Sequence, residues 1–188
     1  MIIIIGIFIL HLNFCESAHA DDDWSLTLYG ARLTSNSLGE TLTFKSNYEN
    51  SHLVALAVSK RVYSVRKLIN IEIEGQVVKH FGVQDHWEFN GLPVIRWLPF
   101  PWDTHIDTSI AAGAGLSYAS TPPHIENYGI DSTPRLLGYL MLEFAFSLPQ
   151  TPKWSFVTRI HHRSGANGLF NGRLDASNAI GFGIKYVL

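Results

Sequence analysis

From Ile69 to Val77 the chain alternates between apolar and polar side chains, with Ile69, Ile71, Ile73 and Val77 on one parity and Asn70, Glu72, Glu74 and Gln76 on the other. Successive side chains of a β-strand point to opposite faces, so this segment reads as a strand with one apolar and one charged face. The pattern recurs. Trp154, Phe156 and Ile160 oppose Arg159, His161 and Arg163, and Ile180, Phe182, Ile184, Tyr186 and Leu188 oppose Ala179, Gly181, Gly183 and Lys185. Eight strands are expected, near 24–32, 51–60, 67–78, 87–98, 106–118, 136–148, 154–164 and 177–188, separated by clusters rich in Asn, Ser, Gly and Pro, with no competing helical period. The connections alternate in length: long at 33–50, short at 61–66, medium at 79–86, short at 99–105, long at 119–135, short at 149–153 and medium at 165–176. An all-β, eight-stranded antiparallel up-and-down β-barrel with long loops at one end and tight turns at the other has this signature.

Alternation alone does not say which face is inside, since a soluble lipocalin-like barrel hides its apolar face. Three features favour the transmembrane arrangement. Aromatic residues sit near strand ends on the apolar face, with Trp87 and Trp97 at the two ends of one strand and Tyr118 and Trp154 at the ends of others, as interfacial girdles require. The opposite face mixes acids with bases: Glu72, Glu74 and Glu143 with Arg96, Arg159, Arg163 and Lys185, a set able to neutralise itself in a narrow lumen. Gly113, Gly115, Gly181 and Gly183 suit a crowded interior.

Composition narrows the address. A net charge of −2 over 188 residues, with only 16% charged side chains, excludes a basic nucleic-acid binder. Ile2 to Leu12 form an apolar run, and Ala18-His19-Ala20 before Asp21-Asp22-Asp23 fits a secretory cleavage site, so residues 1–20 are expected to be a signal peptide and 21–188 the barrel. No later apolar run reaches the roughly 18–20 residues a spanning helix needs. The single cysteine, Cys15, lies in that leader, which excludes disulfides and thiol catalysis from the mature chain. The expected location is the bacterial outer membrane.

With the N-terminus on the periplasmic side, the seventh strand ends at the outer rim in Arg159-Ile160-His161-His162-Arg163-Ser164-Gly165. His162 and Ser164 share the face of Trp154, Phe156 and Ile160, so parity turns this pair toward lipid. A serine needs a neighbouring base to attack an ester at neutral pH, and His162 stands where that base is needed. Asn178, on the same parity at the outer end of the last strand, is placed to orient the imidazole. Asp175 is the acidic alternative, on the other parity. Asn167 and Asn171, in the intervening loop, are candidate oxyanion donors. The competing reading is that polar residues simply gather at a membrane interface.

The His162-Arg163-Ser164 triple at the end of a penultimate strand, a following loop with Asn and Gly, and a last strand ending Gly183-Ile184-Lys185-Tyr186 resemble the lipid A 3-O-deacylase (acyloxyacyl hydrolase) family of outer-membrane barrels. That resemblance implies a carboxylic ester hydrolase without cofactor, acting on lipid A of lipopolysaccharide, with Ser164 as nucleophile and His162 as general base. The family carries a glutamate on the last strand where this chain has Asn178. Three options follow: Asn178 serves, Asp175 serves, or the barrel is inactive.

Other constellations are read as structural. His80, His86, Asp85 and Glu88 form a set able to hold a cation, but with no fixed ligand geometry implied they read as a solvated loop, and no metal is expected. Glu72 and Glu74 read as part of a buried charge network. Arg163 is considered for holding lipid phosphates, although parity turns it inward. Beside the esterase stand a non-enzymatic structural or adhesive outer-membrane barrel and a soluble periplasmic ligand binder; a homodimer is left open.

Overall fold

The computed structural model describes residues 24–43, 47–123, 134–166, 169–170 and 177–188. The expected signal peptide, Cys15 and the loop residues Asn167, Asn171 and Asp175 lie outside the described residues. The elements are β1 (Trp24–Thr34), α1 (Leu38–Leu42), β2 (Tyr48–Val65), β3 (Ile69–Gly82), β4 (Trp87–Trp97), β5 (Asp107–Ala119), β6 (Leu136–Ser147), β7 (Trp154–Ser164) and β8 (Ser177–Val187). Each strand pairs antiparallel with the next and β8 pairs with β1, closing an up-and-down barrel. Every expected strand is present. The eight-stranded closure leaves no open edge.

Two local readings are corrected. The expected connection at 61–66 is mostly strand, because β2 runs on to Val65 and turns through Arg66 and Lys67, whose φ angles are +48° and +57°. A register shift between Arg61 and Tyr63 leaves Val62 as an extra residue, and such a bulge reverses the alternation that would have revealed the strand's continuation. The long 33–50 connection holds a short helix, α1. Its signal was legible: Ser37 and Glu40 form a capping box, with Ser37 Oγ accepting from the Glu40 amide and the Glu40 carboxylate accepting from the Ser37 amide.

The sidedness is the inverse of a water-soluble barrel. Ile95 and Phe182 are 60% and 58% exposed on the outside, while Glu88 and Glu143 are fully buried inside. Aromatic side chains ring both ends, Trp24, Trp97 and Trp154 at the end of the tight turns and Tyr48, Trp87 and Tyr118 at the end of the long loops. From Trp87 to Trp97 the strand covers about 33 Å at about 3.3 Å per residue. At a tilt of roughly 40° that is about 25 Å of height, the thickness of a transmembrane barrel's apolar band.

Charge pairing lets the interior close. Arg159 binds Glu74 through both terminal nitrogens, at 2.8 and 2.9 Å, and Glu143 through Nε at 2.5 Å. Arg96 reaches Glu72 at 2.7 Å and Glu143 at 2.8 Å, and Lys185 lies 3.9 and 3.7 Å from the same two acids. Three acids meet three bases, so the desolvated charges offset one another. Small residues let the strands approach over this filling: a Cβ at Gly183 would meet the Leu28 carbonyl oxygen at 2.2 Å.

Candidate active site

The loop end of β7 is held between β6 and β8 in a fixed register, with His162 opposite Leu140 and Asn178, and Ser164 opposite Gly138. Asn178 in turn pairs with Thr34 of β1. Thr34, Asn178 and His162 therefore form a polar row across three strands on the outward face.

Within that row His162 Nδ1 lies 2.7 Å from Asn178 Oδ1, and Asn178 Nδ2 donates to the Asn36 carbonyl at 2.8 Å. The second bond decides the first. A carbonyl can only accept, so it fixes the amide nitrogen toward Asn36 and the amide oxygen toward the imidazole. His162 must then donate from Nδ1, and in the neutral imidazole this puts the lone pair on Nε2, the tautomer a general base requires.

His162 and Ser164 keep the outward parity expected of them, but His162 does not look into open lipid. His162 is 5% exposed and Asn178 2%. The β1–β2 connection folds over the row, with Thr34 Oγ1 3.2 Å from Thr41 Oγ1 of α1 and Asn36 against Asn178. Polar groups facing hydrocarbon without partners cost several kcal/mol each, and the covering loop supplies those partners. Asn36 and Thr41 are the residues sequence reasoning missed, since neither touches the row until the barrel closes.

Ser164 is half-buried beside Gly138. After it the chain turns sharply through Ala166, at φ +46°, and Phe170 N donates to the Gly165 carbonyl at 3.2 Å. A Cβ on Gly138 would come 3.3 Å from the Ser164 carbonyl oxygen and 3.6 Å from Phe170 Cε2. The absence of a side chain at Gly138 thus lets the Ser164 backbone and Phe170 pack close beside it.

The inward face of the same strand end has another chemistry. His161 Nε2 lies 2.9 Å from Glu88 Oε1, and the hydroxyls of Tyr29 and Tyr139 between them serve His161 Nδ1 and Gln76 Oε1, at 3.0 to 3.2 Å. Arg163 donates to Ser117 Oγ at 2.9 Å and to the Arg135 carbonyl at 3.1 Å, inside the barrel, so it cannot hold an external phosphate. The expectation of a solvated loop around His80 and His86 is also corrected. His80, His86 and Glu88 are buried together, with the two imidazoles stacked at 4.2 Å, and only Asp85 faces out, where it pairs with Lys79. Burial, with His80 adjacent, pushes the His86 pKa down to about 3, so its imidazole is neutral at physiological pH.

No known protein family matches the sequence, and no curated protein does. Solved structures do match in fold. The outer membrane enzyme PagL superposes with a TM-score of 0.59 at 12% identity, over 87% of this chain and 99% of that one. Neisserial surface protein A (NspA) gives 0.54 at 10% identity, over 88% and 97%. Both likenesses place this chain among folds of the outer-membrane eight-stranded barrel type.

Proposed function

We propose that this protein is an outer-membrane esterase that removes an ester-linked acyl chain, at the 3-O position, from lipid A. The observation that carries the reading is the His162–Asn178–Asn36 chain of hydrogen bonds, which holds an imidazole in its base-competent tautomer two residues from a half-exposed serine on the outward rim. Ser164 Oγ attacks the acyl carbonyl and its proton passes to His162 Nε2; His162 returns it to the departing alkoxide, and water then hydrolyses the acyl-serine. The likeness to PagL supports the fold that this chemistry needs.

Asn178 in place of a carboxylate does not by itself oppose the reading. In a serine triad the Asp-to-Asn change lowers turnover by about 10⁴-fold because the amide enforces the wrong tautomer. Here the Asn36 carbonyl prevents that outcome. What Asn178 cannot supply is a negative charge to stabilise the imidazolium, so turnover is slower than a carboxylate would permit.

Mass spectrometry of lipid A from cells producing the wild type or Ser164→Ala tests the proposal. Loss of one ester-linked acyl chain with the wild type alone is expected; identical lipid A in both would sink it. That second result would favour a non-enzymatic surface barrel, the reading that the missing acid and the likeness to NspA support.

A further inference from the structure

We propose that the loop end of the lumen binds a divalent transition-metal ion of the zinc class through His80, His86 and Glu88. The β3–β4 turn builds the site. His80 lies near the end of β3 and Glu88 near the start of β4, and the connection between them carries His86 back over the lumen, pinned by the 3.0 Å bond from the His80 amide to the His86 carbonyl. One ligand atom from each of the three side chains lies within 4.8 Å of the others, and all three residues are buried. Two imidazoles and a carboxylate form a three-ligand zinc set with a fourth position left to water, and imidazole nitrogen selects such metals over magnesium or calcium.

A second observation points to a ligand. His86 Nε2 is buried and has no hydrogen-bond partner among the described residues. Burying an imidazole nitrogen without a partner costs free energy, and a cation removes that cost. The neighbours are placed to orient the ligands. His161 holds Glu88 Oε1 at 2.9 Å, while Oε2 lies 2.8 Å from His80 Nε2, a contact that the ion would replace by sitting between the two. Gln84 sits 3.1 Å from His80 Nδ1, and its own Oε1 is buried with no partner among the described residues. A half-turn of that amide makes Oε1 the acceptor for Nδ1–H, which moves the His80 proton off Nε2, so that this nitrogen exchanges its bond to Glu88 for one to the ion.

The set must tighten on loading. Metal bonds of about 2.0–2.2 Å place tetrahedral ligand atoms about 3.3–3.6 Å apart, so the atoms draw in by up to about 1.5 Å and the stacked rings fan open. His86 reaches the ion by turning its side chain, while its carbonyl stays bonded to the His80 amide. Arg163, 3.9 Å from Glu88, opposes the cation and weakens binding relative to a site without that charge.

The test uses untagged full-length protein, purified in detergent and stripped with chelator, titrated with Zn²⁺ by calorimetry alongside His86→Ala and Glu88→Gln. Intact folding of each is checked by its gel mobility before and after heating. The expected result is one ion per chain, no saturable binding in His86→Ala, binding at least about 10-fold weaker in Glu88→Gln, and no uptake of Mg²⁺. Should Glu88→Gln fail to fold, His86→Ala alone decides. Wild type that takes up no Zn²⁺, or His86→Ala that binds it equally well, overturns the proposal. Ser164 and His162 face the other side of the strand, so the lipid A experiment and this one fail independently.

Discussion

His161 and His162 are neighbours in the chain and opposites in environment. His161 points inward to a carboxylate, Glu88, and to two tyrosine hydroxyls; His162 points outward to an amide, Asn178, itself held by a loop carbonyl. The barrel thus keeps its charge in the lumen, where Arg96, Arg159 and Lys185 balance the acids, and puts a neutral hydrogen-bond relay on the side that faces hydrocarbon. The cost of an unpaired charge is highest at that outer surface. An amide relay there fixes the imidazole's tautomer without adding a charge to be desolvated.

The contrast can be broken from either side. The largest effect is expected from His162→Ala, which should reduce lipid A deacylation to background, a fall of roughly 10⁴-fold or more, at a stability cost of only about 1–3 kcal/mol from the Asn178 oxygen left without its partner. Arg159→Met leaves Glu74 and Glu143 buried without their shared partner, and should cost about 3–5 kcal/mol in urea unfolding while the folded fraction keeps its activity. Asn178→Ala frees the imidazole to rotate and should lower kcat by about 10²-fold with KM little changed. His161→Ala should lower stability by a similar amount, about 1–3 kcal/mol through the unsatisfied Glu88 oxygen, but spare catalysis. An equal loss of activity in both histidine variants would erase the distinction. Gly138→Val presses on the Ser164 backbone, 3.3 Å from where its Cβ would sit, and should slow deacylation by about a few-fold while costing about 1 kcal/mol in urea unfolding.

Much of this arrangement was legible along the chain. Parity separated Glu72, Glu74, Arg159 and His161 from Ile73, Phe156 and His162, because strand alternation is a local property of the backbone. The pairing of His162 with Asn178 followed from shared parity on adjacent strands, and their register places them directly opposite. Parity failed where geometry departs from period two. The bulge at Val62 hid the continuation of β2, and His86 lies in a connection, where alternation has no meaning. Exposure was also misjudged for the His162 row, because its cover comes from Asn36 and α1, distant in sequence.

The sequence by itself determined a self-closing sheet with an apolar exterior, a charge-balanced interior and a histidine–serine pair on the outward rim. Each of these depends only on residues next to or two apart from one another. Tertiary structure decided which charges meet across the lumen, as Arg159 finds Glu74 and His161 finds Glu88, and which loop covers the outward row. It also gathered His80, His86 and Glu88 into one buried cluster. Those contacts depend on strand stagger and on how the connections fold back over the barrel, quantities that barrel closure fixes globally and that no single segment encodes.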